Sequence, residues 1–410
     1  MGVLAGSVAC ASARASDDAA LSIADQATAV PEEARDWRFY AEGALRESTR
    51  RATGAVVHGE RLSFDLRYDK AIAPGWRVVF ADRLDMNRYY GGAGDGNVNT
   101  LKEAYLSWQA QPDRIADLGR INVRNGVATG YNPTDYFKAG AVRSVSSLDP
   151  ASLRENRLGS AMLRGQALWE GGSVSALYSP KLADRPNPGA YNLDLGSTNR
   201  RDRWLVSVSQ QVGALNPQVL LSGGEGQSAQ LGLNLTGLLN DATVAFAEWS
   251  GGRSRSLLTQ ALAGADDTAF RNRVAAGLTY TTPWNLTLTA EVDYNGAGLE
   301  KDAWNALRSG SLAAYGRYRT FVTPLQDPAT RHSLFFYATW TDALMKHLDL
   351  SAMVRRDAAD ASRLQWIEVR YHWTRVDLAL QAQVNSGHPT SNFGAATDRR
   401  LTQVVLRYFF

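Results

Sequence analysis

The strongest constraint on this chain is an alternation of period two. In RVDLALQAQVN, Val376, Leu378, Leu380, Ala382 and Val384 share one parity, and Asp377, Gln381, Gln383 and Asn385 the other. Successive side chains of a β-strand point to opposite faces, so the pattern predicts a strand with one apolar and one polar side. NLTLTAEVDYN sets Leu286, Leu288, Ala290, Val292 and Tyr294 against Thr287, Thr289, Glu291, Asp293 and Asn295 in the same way. RLQWIEVRYHW opposes Ile367, Val369, Tyr371 and Trp373 to Glu368, Arg370 and His372. Such segments recur from Trp37 to the last residue.

Two architectures accommodate this pattern. Soluble sandwiches and propellers bury one face and wet the other, whereas a membrane barrel turns its apolar face to lipid. The connections favour the barrel. About eighteen strands are expected, and their joints alternate short with long, as in barrels with tight periplasmic turns and longer external loops. Short joints fall at KAIAPG, QPD, EGG, GALNP, LLND, TPWN, DALMKH and TR. Longer ones fall at 91–97, 126–155, 183–202, 251–269, 297–331 and 386–399, and two connections on that side, near Glu225 and Asp360, are short. The expected fold is all-β: one closed, antiparallel transmembrane barrel over 37–410, with sixteen strands as the second choice. Mean hydropathy is negative, and no run of roughly 18 or more apolar residues could form a transmembrane helix.

Charge and cysteine content narrow the function. Lys and Arg number 44 against 41 Asp and Glu, so no basic excess points to nucleic acid. Cys10 is the single cysteine, which excludes a disulfide framework and a cysteine metal site. No cofactor is expected. Around Cys10 the small apolar residues close with Ala13-Arg14-Ala15, an A-x-A pattern that suggests signal-peptide cleavage after Ala15. A flexible Ala-rich tail is the other reading of 1–15. Residues 16–36 then form an acidic, Ala-rich lead-in to the barrel.

The chain closes on LTQVVLRYFF, an apolar strand that needs a cover. This stretch resembles the last strand of Gram-negative outer-membrane β-barrels, which ends in Phe with aromatic or apolar residues at alternate positions before it. Val404, Leu406, Tyr408 and Phe410 match the pattern. The resemblance implies an outer-membrane location, contact with lipid and lipopolysaccharide, and recognition of these four residues by the barrel-assembly machinery. It leaves the oligomeric state open.

In a barrel of this size the polar face lines a lumen. Alternation places Arg38, Glu42, Arg46, Asp65, Arg67, Arg77, Arg83, Asp85, Glu103, Arg120, Arg124, Arg164, Glu291, Asp293, Arg355, Glu368, Arg370, Asp377 and Arg407 inward. They would either line a hydrated, arginine-rich conduit or pair across strands and fill the interior. The segment 126–155, with turns at Asn132-Pro133 and Asp149-Pro150, holds the position at which general porins fold a loop inward as a constriction. Its candidate solute contacts are Tyr131, Asn132, Asp135, Tyr136, Phe137, Lys138, Arg143, Arg154 and Glu155; a loop packed over the rim is the alternative. In 297–331, Trp304, Leu307, Leu312, Tyr315, Tyr318 and Phe321 recur at nearly helical spacing and predict a short helix over the mouth. The loop 183–202 is polar, turn-rich and assigned to the external surface.

Enzymatic signatures are weak. None of His58, His332, His347, His372 and His388 lies in a hydrolase or metalloprotease motif, although His372 shares an inward face with Glu368 and Arg370. The sequence therefore points to a non-enzymatic channel for passive or selective passage of small polar or anionic solutes. An exporter component for a polysaccharide or lipid, working with periplasmic partners, is the alternative.

Overall fold

A computed structural model describes residues 35–90 and 96–410. The leader and lead-in readings through residue 34, and the glycine run 91–95, lie outside the described residues. The strands are β1 (Trp37–Arg50), β2 (Val56–Ala73), β3 (Trp76–Tyr90), β4 (Gly96–Gln111), β5 (Arg114–Ile121), β6 (Ser160–Trp169), β7 (Gly172–Ser179), β8 (Arg203–Gln210) and β9 (Leu215–Gly224). They continue as β10 (Gln227–Asn240), β11 (Thr243–Ser254), β12 (Ala269–Thr281), β13 (Leu286–Asn295), β14 (His332–Trp340), β15 (Leu348–Asp357), β16 (Arg363–His372), β17 (Val376–Ser386) and β18 (Asp398–Phe409).

Each strand pairs antiparallel with its sequence neighbours, and β18 pairs with β1, closing an 18-stranded barrel. At the seam Tyr40 stands opposite Phe409, the Phe410 amide donates to Phe39 O at 3.1 Å, and the Phe39 and Phe410 rings stack at 4.9 Å. The apolar terminal strand is covered by β1, and closure leaves no row of unpaired edge groups.

The joints segregate by length as a tendency, with 51–55, 225–226 and 358–362 short at the long-loop end. One end carries the tight turns, for example at 74–75, 112–113, 170–171 and 241–242; the other carries 122–159, 180–202, 255–268, 296–331 and 387–397. The tightest turns need glycine: Gly75 has φ +75°, and a Cβ there would sit 2.8 Å from Gln109 O.

Outward faces are apolar and open. Leu45, Leu118, Leu163, Val292, Leu380 and Leu406 are all exposed there. Around the short-turn end Trp76 stacks on Trp108 at 5.7 Å, and Trp169, Trp284, Trp373 and Phe410 are exposed nearby. An apolar belt edged by aromatic side chains is the surface of a barrel that sits in lipid. The alternate residues on the same strands are polar and buried, among them Glu42, Asp65, Arg83, Glu248, Glu291 and Gln381.

Among the described residues five short α-helices lie in the long connections: α1 (Pro150–Glu155), α2 (Leu195–Thr198), α3 (Leu257–Leu262), α4 (Lys301–Ser309) and α5 (Leu312–Val322). The aromatic spacing in 297–331 thus produces two helices where one was expected. Trp304, Tyr315, Tyr318 and Val322 bury themselves with Leu257, Leu299 and Ala329. Trp304 Nε1 donates to Asp360 Oδ2 at 2.7 Å, and Tyr318 OH to Ala329 O at 2.5 Å. The stripe packs the connection into a cap, and these aromatic faces are used up in doing so.

Candidate functional site

The inner wall is built from two kinds of surface. On β1–β4 and β18 it is ionic. Glu42 accepts from Arg61, Arg83 and Arg407, each at 2.8 Å. Arg83, only 2% exposed, also donates to Asp85 at 2.9 Å and to the Tyr40 hydroxyl at 3.1 Å. Burying such charges is costly unless each is paired and hydrogen-bonded, which explains the density of partners.

Lys102 belongs to this network and has no counterpart in the alternation reading. Ala81 pairs with Glu103 while Asp82 pairs with Leu101, so Lys102 is an extra residue in β4. Such a bulge lets two consecutive side chains serve one face. Lys102 reaches Asp65 at 2.7 Å and Glu103 reaches Arg67 at 3.3 Å.

Smaller ionic groups continue round the wall. Arg164 meets Asp117 at 2.8 Å, and Arg77 pairs closely with Asp69. Arg370 bridges Glu368 at 2.9 Å and Asp377 at 3.5 Å, and His372 stands between Asp377 at 2.9 Å and Asp349 at 3.1 Å.

At the long-loop end of β5–β9 the inner wall is apolar. Ile121, Met162, Leu177, Leu205 and Leu220 are buried with Phe137. This reverses the expectation for Arg120. Ile121 and Asp117 face inward, while Arg120 shares the parity of Leu118, which is 64% exposed on the outside. The Arg120 guanidinium donates to Gly159 O at 2.8 Å, Leu193 O at 2.5 Å and Thr198 Oγ1 at 3.3 Å. It ties down the connection between β7 and β8. That connection, read from sequence as external surface alone, therefore also covers a buried arginine. Arg124 lies beyond the end of β5 and is exposed.

The segment 126–155 spans from one wall to another. The Val127 and Ala128 amides donate to Glu248 Oε1 at 2.5 and 2.6 Å, and Thr134 Oγ1 donates to Glu248 Oε2 at 3.0 Å. The Thr129, Gly130 and Tyr131 amides donate to Glu291 at 2.9, 3.0 and 2.7 Å. Two mid-strand carboxylates on β11 and β13 thus hold five successive main-chain donors. Gly126 and Gly130 permit the approach: a Cβ would come within 2.5 Å of the Glu248 carboxylate at the first and 2.4 Å of the Phe335 ring at the second. Farther along, Tyr337 OH donates to Asp149 at 2.6 Å, Gln403 Nε2 donates to Ser146 O at 3.0 Å, and Arg38 donates to Glu155 at 2.5 Å.

Most of the expected solute contacts in this segment are instead spent on holding it. Asp135 pairs with Arg157 at 2.6 Å, both buried. Lys138 pairs with Asp327 at 2.8 Å, donates to Asn132 O at 2.7 Å and lies 4.5 Å from the Tyr131 ring centre. Burial disfavours the Asp327 charge, but Lys138 and Arg273 outweigh it and hold the carboxyl below its usual range. Tyr131 and Phe137 are buried. Glu291 and Asp293 are likewise buried, Asp293 accepting from Ser333 at 2.9 Å. Arg143 donates to Asn99 O at 2.6 Å and Asn192 O at 2.9 Å yet keeps a share of the remaining open space.

Arg143 lines a cavity of about 340 Å³ bounded by β1–β4, β16–β18 and residues 143–148. Arg46, Arg61, Arg143, Trp366, Gln381 and Gln403 line it. It presents amides, the aromatic side chains of Tyr89 and Trp366, and guanidinium groups that are already paired, Arg46 with Asp398, Arg61 with Glu42 and Arg143 with Asp194.

No family model matches the chain, and no curated protein matches it. Solved structures do. Pseudomonas aeruginosa OccK2 (OpdF), determined in complex with glucuronate, aligns at 10% identity over 92% of this chain and 97% of its own, with a TM-score of 0.55. P. aeruginosa OccK11 (OpdR) aligns at 12% identity over 92% and 96%, with a TM-score of 0.53. The P. aeruginosa outer membrane protein opdK aligns at 8% identity over 92% and 99%, with a TM-score of 0.52. The likeness is one of fold, and it agrees with the belt and the closure: this chain is built as an outer-membrane β-barrel.

Proposed function

We propose that the barrel is an outer-membrane channel for small polar or anionic solutes, with the segment 126–155 setting its aperture. The observation that carries this reading is the seating of that segment on Glu248 and Glu291, beside a cavity lined by Arg46, Arg61 and Arg143. A solute carrying a carboxylate would compete there with Asp398, Glu42 and Asp194 for guanidinium donors, a short-range exchange of one carboxylate for another. Glucuronate, bound by one structure of similar fold, makes sugar acids the first solutes to try.

The exporter alternative calls for a continuous arginine track. Here Arg83 sits among Glu42, Asp65 and Asp85, and Arg370 between Glu368 and Asp377, so the cationic stretches are interrupted. This favours short-range selection of small solutes over the guiding of a polymer.

The test is single-channel conductance in planar bilayers with the reversal potential taken across a salt gradient. Steady conductance with anion preference, reduced by Arg46→Ala combined with Arg61→Ala, is expected. A folded barrel that stays silent, or a reversal potential indifferent to that double variant, would remove the reading.

A further inference from the structure

Outward-facing charges near the long-loop end can meet the opposite sign: Glu60 on β2 is in direct register with Arg88 on β3. β15 and β16 differ. Arg356 and Arg363 are direct cross-strand partners, one near the end of β15 and the other at the start of β16. Met353 and Asp357 on β15, and Leu364 and Trp366 on β16, are the buried inward residues. Arg356 and Arg363 have the other parity, point outward and are exposed. Among the described residues neither guanidinium has an ion-pair or hydrogen-bond partner.

Like charges directly opposite on neighbouring strands repel. Among the described residues no carboxylate pairs with either guanidinium to offset that repulsion, which points to an anion outside the protein. Arg400 on β18, exposed and sharing the outward parity of Val404, lies two strands away, roughly 10 Å at ordinary strand spacing. Toward the middle of the barrel the same outward surface is apolar. Leu334 stands opposite Arg356, Phe336 opposite Val354, and Ile367 opposite Ala352, with Phe336 and Ile367 both exposed.

We propose that Arg356 and Arg363 form a clamp for the phosphate of an anionic lipid in the adjoining leaflet, whose acyl chains lie along the Leu334, Phe336 and Ile367 strip. Planar guanidinium groups suit two-point recognition of phosphate oxygens. The edge of the apolar belt is where a lipid-facing arginine costs least. Free phosphate shares the headgroup chemistry but has no use for the apolar strip, so the clamp is assigned to lipid. The proposal goes beyond the solute reading and requires only that the outward face meet a bilayer.

The experiment is native mass spectrometry of the full chain in neutral detergent, supplied with lipid A or with phosphatidylcholine. Wild type is expected to retain lipid A in preference to phosphatidylcholine. Arg356→Gln with Arg363→Gln should lower that retention about tenfold, while Arg253→Gln, on the outward face of β11, should not. Inorganic phosphate at millimolar concentration should leave the adduct in place. Equal retention by the double variant, equal retention of the uncharged-overall lipid, or displacement by phosphate alone would each overturn the clamp. Thermal unfolding supplies a second readout that separates the clamp from a folding defect. Without anionic lipid the double variant should be at least as stable as wild type, because a repulsion has gone; with lipid A only wild type should gain. A double variant less stable in neutral detergent would refute the repulsion on which the clamp is built.

Discussion

Two sectors of the inner wall hold the same barrel together by opposite means. Along β1–β4 and β18 the interior is a mesh of Arg61, Arg83, Lys102 and Arg407 with Glu42, Asp65 and Asp85. Along β5–β9 it is a hydrocarbon core of Ile121, Met162, Leu177, Leu205 and Leu220, completed by Phe137 of the crossing segment. The apolar sector takes in Phe137 of the crossing segment, whereas the 340 Å³ cavity lies against β1–β4 and β16–β18.

Substitutions can break this contrast. The largest effect is expected for Arg83→Ala, which leaves Glu42 and Asp85 buried with a partner gone; breaking a buried ionic group in this way costs on the order of 3–5 kcal/mol. Urea unfolding of the refolded barrel measures it, and a loss below about 1 kcal/mol would mean that water already solvates the mesh. Leu220→Ala should cost about 2–5 kcal/mol in the same assay if the other sector is truly packed. The outward Leu233→Ala, which loses contacts with detergent or lipid only, should cost clearly less.

Glu291→Gln comes next. It replaces one of the two oxygens that receive the Thr129, Gly130 and Tyr131 amides with a donor, at about 1–3 kcal/mol for the orphaned groups. The crossing segment should loosen while the barrel holds, seen as larger or noisier single-channel current at nearly unchanged urea midpoint. Unchanged current would show that the segment does not limit the aperture.

Acidification should have the smallest effect. The Asp327 carboxyl is held below its usual range by Lys138 and Arg273. Its contribution is present above the pKa of an unfolded Asp, about 3.9, and is lost only as pH falls through the lower folded value. Current should thus be flat from about pH 8 to pH 5 and change only below about pH 4. Asp327→Asn should abolish that late change, and a transition near neutrality would assign the response to another group.

Most of the barrel could be read from alternation, because a lipid-facing residue and a lumen-facing one differ sharply in polarity on strands such as β13, β16 and β17. The rule failed where its premise failed. On β5 the crossing segment brings Phe137 inside, so an inward Ile121 is as satisfied as an inward polar residue would be, and Arg120 was placed on the wrong face. On β4 a bulge at Lys102 put two neighbours on one side. On β11, small and aromatic residues surround Glu248 and blur its parity, hiding one of the two carboxylates that seat the segment. Its partner Glu291 was recognised as inward, but its task of binding main-chain amides carries no sequence signal at all. The like-signed pair Arg356 and Arg363 was equally hidden, since it exists only once the register of β15 on β16 is known.

The cap and the crossing segment share their fastenings. The Gly140 amide donates to Pro324 O at 2.9 Å, and Gln326 Nε2 donates to Lys138 O at 2.5 Å beside the Lys138–Asp327 pair. A body that grips α4 and α5 from outside would therefore pull on the crossing segment through three short tethers. The roof of this barrel is mechanically also its handle.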